Sequence, residues 1–81
     1  MNIAIIGASG FLGTQLSNHL LTTTHHNVKA IARNAMRMAV KPQFKDRFQR
    51  INADVMDEDE MTLALNAVDV AYYFVHMMGQ K

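Results

Sequence analysis

The glycine-rich segment at residues 7–13, which reads Gly-Ala-Ser-Gly-Phe-Leu-Gly, constrains the fold of this chain more than any other feature. It follows the short apolar run Asn2–Ile6, which is typical of a strand buried on both faces of a sheet. After it, leucines recur every four residues and predict a helix over Phe11–Leu21. The apolar stripe expected to cover the sheet consists of Leu12, Leu16, Leu20 and Leu21. A strand that passes through three glycines into a helix predicts the first unit of a parallel α/β sheet.

Each glycine of this segment has a physical role in such a turn. Gly7 permits the tight bend, Gly10 lets the backbone approach a pyrophosphate without an intervening Cβ, and Gly13 lets the helix pack closely. The free N–H groups at the helix start would bind the anion, with help from the helix dipole. The candidate cofactor contacts here are Gly7, Ala8, Ser9, Gly10, Phe11, Leu12 and Gly13. A turn used only for packing is the alternative, and a P-loop is disfavoured because no Gly-Lys-Ser/Thr sequence follows.

Three further strands and a second helix complete the predicted order. The strands are expected at Val28–Ala32, Phe48–Ala53 and Val70–Val75, and the helix at Glu58–Ala67. Asp57 and Glu60 have the spacing of a capping box, and residues 33–44 allow a short helix that Pro42 would stop. The pattern predicts an α/β protein, a partial Rossmann fold with a parallel sheet of about four strands in the order 3-2-1-4 and flanking helices. Residues 1–81 would form one N-terminal half domain.

Charge is segregated along the chain. Seven of the eight lysines and arginines lie between Lys29 and Arg50, and six of the seven acidic residues lie between Asp54 and Asp69. The basic stretch has few interleaved aromatic residues, so nucleic acid is not an expected partner. The acidic run at 57–60 is better explained as a helix start that complements the helix dipole than as a metal site.

The composition also bears on the compartment. The chain has no cysteine, no basic leader and no apolar run of the length that spans a membrane. Disulfide scaffolds and thiolate zinc sites are therefore excluded. We expect a cytoplasmic protein that does not insert into membranes.

Two stretches of the chain resemble a known family. The stretch IAIIGASGFLGTQL resembles the N-terminus of extended and atypical short-chain dehydrogenase/reductases. The run VAYYFVHMMG is similar to the fourth strand and exit loop of the atypical branch, which includes nucleoside-diphosphate-sugar epimerase-like and NmrA-like proteins. The resemblance implies that the Asp54 carboxylate faces the exocyclic amine of adenine and the Val55 N–H faces a ring nitrogen. Val75 and His76 lie at the exit of the fourth strand, at the edge where such sheets bind ligands, so backbone contact with the cofactor ribose is expected.

The residues after the second strand bear on the choice between NADP and NAD. NAD-binding units usually carry an Asp or Glu there, which binds the ribose hydroxyls. This chain has no acidic residue before Asp46 and carries Arg33, followed by Arg37. A guanidinium can hold a phosphate through two parallel hydrogen bonds and stays charged. We therefore expect NADP as the cofactor, with NAD as the alternative, and solvated surface arginines remain the competing interpretation.

Two classes of function fit these features. Reductases of the resembling superfamily use a Tyr with a Lys four residues later, but Tyr72 and Tyr73 are followed at that spacing by His76 and Met77. One hypothesis is the cofactor domain of an oxidoreductase or epimerase, with its catalytic residues expected beyond position 81. The other is a non-catalytic, NmrA-like module that senses the dinucleotide through a partner protein.

The predicted fourth strand also suggests self-association. In the order 3-2-1-4 it lies at an edge of the sheet, and Val70–Val75 contains no charged residue or proline to protect its unpaired backbone groups. We expect this edge to pair with a second copy of the chain, to exchange strands or to aggregate.

Overall fold

The computed structural model describes residues 1–74, which form a parallel α/β sheet with helices on both faces. The elements are β1 (Asn2–Ile6), α1 (Phe11–Thr23), β2 (Asn27–Ala32), β3 (Phe48–Asn52), α2 (Glu58–Ala64) and β4 (Val70–Tyr73). All strand pairs are parallel, and the strand order is β3-β2-β1-β4. The predicted fold class and strand order are confirmed.

The core lies on both faces of the sheet because successive strand side chains point to opposite sides. One apolar cluster comprises Ile5, Ala8, Leu21, Val28, Ala30 and Phe48. The other comprises Ala4, Ile6, Ile31, Ala53 and Ala64. Ala4 and Ile5 are both fully buried, so β1 is covered on its two faces, as its uninterrupted apolar sequence predicts.

The buried face of α1 differs from the predicted leucine stripe. Leu16 and Leu20 pack against the core, but Leu12 is 64% exposed, so its assignment to the sheet-covering face was wrong. Small residues, Gly13 and Ser17, are buried instead. The Ser17 hydroxyl donates to the Gly13 carbonyl oxygen (2.8 Å), so its polar atom is satisfied inside the helix. This small-residue face lets the helix axis approach the sheet, and Leu12 is rotated toward solvent.

The start of α2 forms one half of the predicted capping box. The Asp57 carboxylate accepts from the Glu60 backbone amide (3.0 Å), as a helix N-cap does, but the Glu60 carboxylate accepts from the Asp54 amide rather than from the Asp57 amide. The end of the helix also differs from the prediction. The helix ends at Ala64 rather than at the predicted Ala67. Residues 65–67 form a turn beyond the helix, in which Ala67 adopts the left-handed φ of 63°.

The connection between β2 and β3 contains two short 3₁₀ helices rather than one short helix. They cover Ala35–Arg37 and Pro42–Phe44. Pro42 was expected to stop a helix, but it occupies the start of the second one, where the missing N–H of proline is harmless. Ala35 is fully buried and anchors the first of them.

Two cations of the basic stretch serve the fold by capping helix ends. The Lys29 ammonium donates to the carbonyl oxygens of Ala64 (2.9 Å) and Asn66 (3.0 Å), where α2 ends. The Arg47 guanidinium donates to the carbonyl oxygen of Leu21 in the last turn of α1 and to those of Thr24 and His26 just beyond it. Helix ends leave such carbonyls without partners, so these cations stabilise the fold and are not available to a phosphate.

Strand β4 lies at an edge of the sheet and pairs with β1. Its side chains are poorly covered, with Tyr72 43% and Tyr73 62% exposed. The predicted end of this strand at Val75 lies outside the described residues. Among residues 1–74, no helix is long and apolar enough to cross a membrane.

Candidate functional site

The glycine-rich turn lies at the carboxyl edge of the sheet and is tied to the neighbouring strand. Gly7 adopts φ 82°, which glycine tolerates and most other residues do not. The amides of Gly7 and Ala8 both donate to the Ile31 carbonyl oxygen, at 2.8 and 3.3 Å. The turn is therefore held at a set position between β1 and β2.

Backbone N–H groups converge where this turn enters α1. The first helical hydrogen bond runs from the Thr14 amide to the Gly10 carbonyl oxygen (2.9 Å). In the described part of the chain, the amides of Ser9, Phe11, Leu12 and Gly13 have no hydrogen-bond acceptor. No acidic side chain lies in the first helical turn to occupy them. Free amides at the positive end of a helix dipole can bind an anionic group such as a pyrophosphate.

The last two glycines of the turn have different surroundings. A Cβ on Gly13 would lie 2.6 Å from the Ala8 Cα and 2.9 Å from its carbonyl carbon, so the absence of a side chain allows this backbone contact. A Cβ on Gly10 would meet only the Gly7 carbonyl oxygen, at an ordinary 3.6 Å. The protein itself thus leaves room for a side chain at Gly10, and that room faces solvent.

A cavity lies on each side of the turn. One, of about 390 Å³, is lined by Ser9, Thr14, Asn18, Asn34, Arg37, Met38, Ala39 and Phe48. The other, of about 310 Å³, is lined by Gly7, Gly10, Phe11, Leu12, Gly13, Tyr73 and Phe74. The first carries polar and cationic side chains, and the second is mainly apolar. A ligand that crosses the turn can therefore place chemically different ends in the two cavities.

The two candidate arginines occupy different places. Arg37 ends the 3₁₀ helix Ala35–Arg37 and lines the polar cavity together with Ser9 and Asn34. Arg33 follows β2 and is exposed, but it does not line that cavity. Sequence reasoning did not single out Asn34, because an Asn after a strand is usually explained as a turn residue.

Asp54 and Val55 follow β3 and are held in a tight turn. The Asp54 amide donates to Glu60 Oε1 (2.8 Å), and Asp54 Oδ1 accepts from the Met56 amide (2.9 Å). Within residues 1–74, neither Asp54 Oδ2 nor the Val55 amide has a hydrogen-bond partner. The two residues line neither cavity beside the glycine-rich turn. Val75 and His76 lie outside the described residues.

Fold and site together define a class of protein. A parallel sheet in the order 3-2-1-4, with a glycine-rich turn after the strand where that order reverses, is the architecture of dinucleotide-binding α/β proteins. A model of the NAD(P)H-binding family matches residues 7–81, and the chain belongs to this family. The match confirms the NAD(P)-binding part of the resemblance, and the cofactor class is a nicotinamide dinucleotide. No curated protein matches the chain.

Proposed function

We propose that the chain binds NADP(H) in preference to NAD(H), as the cofactor-binding part of an oxidoreductase or epimerase related to the short-chain dehydrogenase/reductases. The observation that carries the preference is the cavity that joins Ser9, Asn34 and Arg37 beside the glycine-rich turn. An arginine and two uncharged polar side chains suit a dianionic 2′-phosphate.

The pyrophosphate of the cofactor is assigned to the amides that begin α1. The free amides of Ser9, Phe11 and Leu12 are the donors, and the open space above Gly10 gives access to them. The adenosine half then lies toward the polar cavity, and the nicotinamide half lies toward the cavity that Tyr73 lines. Backbone contact of Val75 and His76 with the cofactor ribose is part of the same proposal.

The adenine ring is assigned to the turn after β3. Asp54 Oδ1 is occupied by the Met56 amide, so the carboxylate is held in one orientation with Oδ2 available to the exocyclic amine. The free Val55 amide is the donor proposed for a ring nitrogen. Glu60 supports this arrangement because its carboxylate accepts from the Asp54 amide.

Removing the cationic side chains after β2 is expected to reduce discrimination for the 2′-phosphate. We expect Arg37→Ala and Arg33→Ala each to weaken binding of 2′,5′-ADP by about tenfold, since a hydrogen bond to a charged group contributes about 1.5 to 3 kcal/mol. Binding of 5′-AMP, which lacks the 2′-phosphate, should change by less than about twofold. Isothermal titration calorimetry of both nucleotides measures the ratio.

Lys45→Ala is the matched control for these variants, because Lys45 is an exposed cation of the same stretch that lines neither cavity beside the turn. Unlike Arg33, which directly follows β2, it lies before β3 and hence toward the amino edge of the parallel sheet. It should leave the ratio of the two affinities unchanged. Equal affinity of the unaltered protein for 2′,5′-ADP and 5′-AMP would refute the proposed preference.

Self-association through β4 is a further part of the proposal. β4 is an edge strand with exposed tyrosines, and edges of this kind pair with other chains. We expect sedimentation velocity to show a mass that rises with protein concentration. Ala71→Lys should shift the equilibrium toward monomer, whereas Thr62→Lys, which adds the same charge at an exposed position of α2, should not. A monomer at all concentrations would contradict the proposal.

A further inference from the structure

The loop that carries Arg37 is held by side chains from the neighbouring strand β3. Arg50 Nη1 donates to the carbonyl oxygens of Met36 (2.8 Å) and Met38 (2.7 Å), which flank Arg37 in the chain. Asn52 Oδ1 accepts from the Met36 amide (2.9 Å). Three hydrogen bonds therefore hold the backbone on both sides of one exposed arginine.

The strand places these two side chains on the same face. Arg50 and Asn52 are two residues apart in β3, and the register pairs them with Ala30 and Ala32 of β2. Strand side chains alternate between faces, so both project under the loop that leaves β2. Phe48, two residues earlier on that face, lines the polar cavity together with Arg37.

Within itself, the loop around Arg37 forms few backbone hydrogen bonds. The 3₁₀ helix Ala35–Arg37 is closed by the Arg37 amide to the Asn34 carbonyl oxygen and by the Met38 amide to the Ala35 carbonyl oxygen, both at 3.0 Å. A single turn of this kind is only weakly stable by itself. The conformation at Arg37 therefore depends on contacts from β3.

We propose that Arg50 is a positioning residue for recognition of the 2′-phosphate: it binds no nucleotide itself and holds the Met36 and Met38 carbonyls so that Arg37 lines the cavity. The inference rests on the proposed NADP preference. It assigns part of that preference to Arg50, a side chain of β3. Because Arg50 already orders the loop in the free protein, Arg37 loses less conformational entropy when it binds the phosphate.

The chemistry of the contact predicts which substitutions preserve the role. Both hydrogen bonds of Arg50 come from one nitrogen, Nη1, so a lysine ammonium with its three donors can replace them. Arg50→Lys should keep most of the preference for 2′,5′-ADP over 5′-AMP. Arg50→Met preserves an unbranched apolar stem but removes every hydrogen-bond donor, so this variant should lose the contribution of Arg50 to that preference.

The test compares 2′,5′-ADP with 5′-AMP on the full chain by calorimetry. We expect Arg50→Met to weaken the binding of 2′,5′-ADP about tenfold and to change the affinity for 5′-AMP by less than about twofold. Arg50→Lys should bind 2′,5′-ADP with most of the original affinity. In an Arg37→Ala background, Arg50→Met should have little further effect on 2′,5′-ADP, because the two residues act through one contact. Arg47→Met, which removes another carbonyl-binding arginine, is the control. Measured at a temperature where this variant is folded, the ratio of the affinities for 2′,5′-ADP and 5′-AMP should be unchanged.

The outcomes separate this inference from the proposal beneath it. A preference for 2′,5′-ADP that survives Arg50→Met would refute the role of Arg50 and leave the NADP proposal standing. Additive effects of Arg37→Ala and Arg50→Met would refute it as well, since they would show independent contributions. Absence of any preference in the unaltered protein would refute the NADP proposal and this inference together.

Discussion

Gly13→Ala is expected to remove a large part of the protein's free energy of unfolding. An added Cβ would lie 2.6 Å from the Ala8 Cα, and backbone atoms on both sides of that contact cannot move aside as a side chain can. Either α1 shifts or the turn opens, and overpacking of this kind destabilises by about 3 kcal/mol. Domains of this size are stable by only about 5 to 10 kcal/mol.

The sign of the effect makes this prediction specific. At an exposed helical position, replacing glycine by alanine stabilises by up to about 1 kcal/mol, because it reduces the freedom of the unfolded chain. Urea denaturation followed by circular dichroism gives the free energy of unfolding. Gly10→Ala is the matched control and should lower it by no more than about 1 kcal/mol, because its Cβ meets one atom at an ordinary 3.6 Å and only the glycine N-cap is lost. Unchanged stability in Gly13→Ala would mean that α1 does not pack on Ala8 as described.

Features that depend on neighbouring residues could be predicted from the sequence. The Ile-rich run before Gly7 indicated β1, and the spacing of Asp57 and Glu60 indicated the N-cap of α2, which the hydrogen bond between them confirms. Both depend on periodicity or on contacts within one helical turn. The parallel sheet followed from the alternation of strands and helices, and its order from the doubly wound fold that the alternation and the glycine-rich turn together indicate.

Features that depend on distant contacts could not be predicted in this way. Leu12 continues a helical leucine pattern, yet it is exposed because the contact face is set by the approach of Gly13 to Ala8. In sequence, the cations between Lys29 and Arg50 could not be told apart in their roles. In the structure, Arg47 donates to the carbonyl oxygen of Leu21, which lies 26 residues earlier at the end of α1. Long side chains can reach several elements, and only the folded arrangement determines which of them they contact.

The same limit applies to the candidate site. The glycine spacing indicated where the anion-binding amides lie, since that turn is local. It did not indicate that Arg37 lines a cavity with Ser9 or that Arg50 holds the intervening loop. Those relations join residues of β3 and of the connections that follow β1 and β2, and no local spacing encodes them.

Gly10→Val is expected to abolish dinucleotide binding and leave the fold intact. Gly10 has φ −74° and ψ 173°, in the extended region that a branched residue also adopts. Loss of its role at the helix N-cap should lower stability by no more than about 1 kcal/mol. The two methyl groups would occupy the space above the free amides that the pyrophosphate requires, so affinity for NADP and NAD should fall by at least about 100-fold.

The comparison of Gly10 with Gly13 distinguishes a binding turn from a packing turn. If the glycines serve packing alone, Gly10→Val should bind nucleotide as the unaltered protein does, because its Cβ has ordinary clearance. If they also admit a pyrophosphate, the variant keeps its circular dichroism spectrum and unfolding midpoint while calorimetry detects no binding. Gly10→Ala should give an intermediate affinity, since one methyl group blocks the same space less completely. A Gly10→Val protein that binds normally would refute the assignment of the pyrophosphate to this turn, although the chain would still belong to the NAD(P)H-binding family.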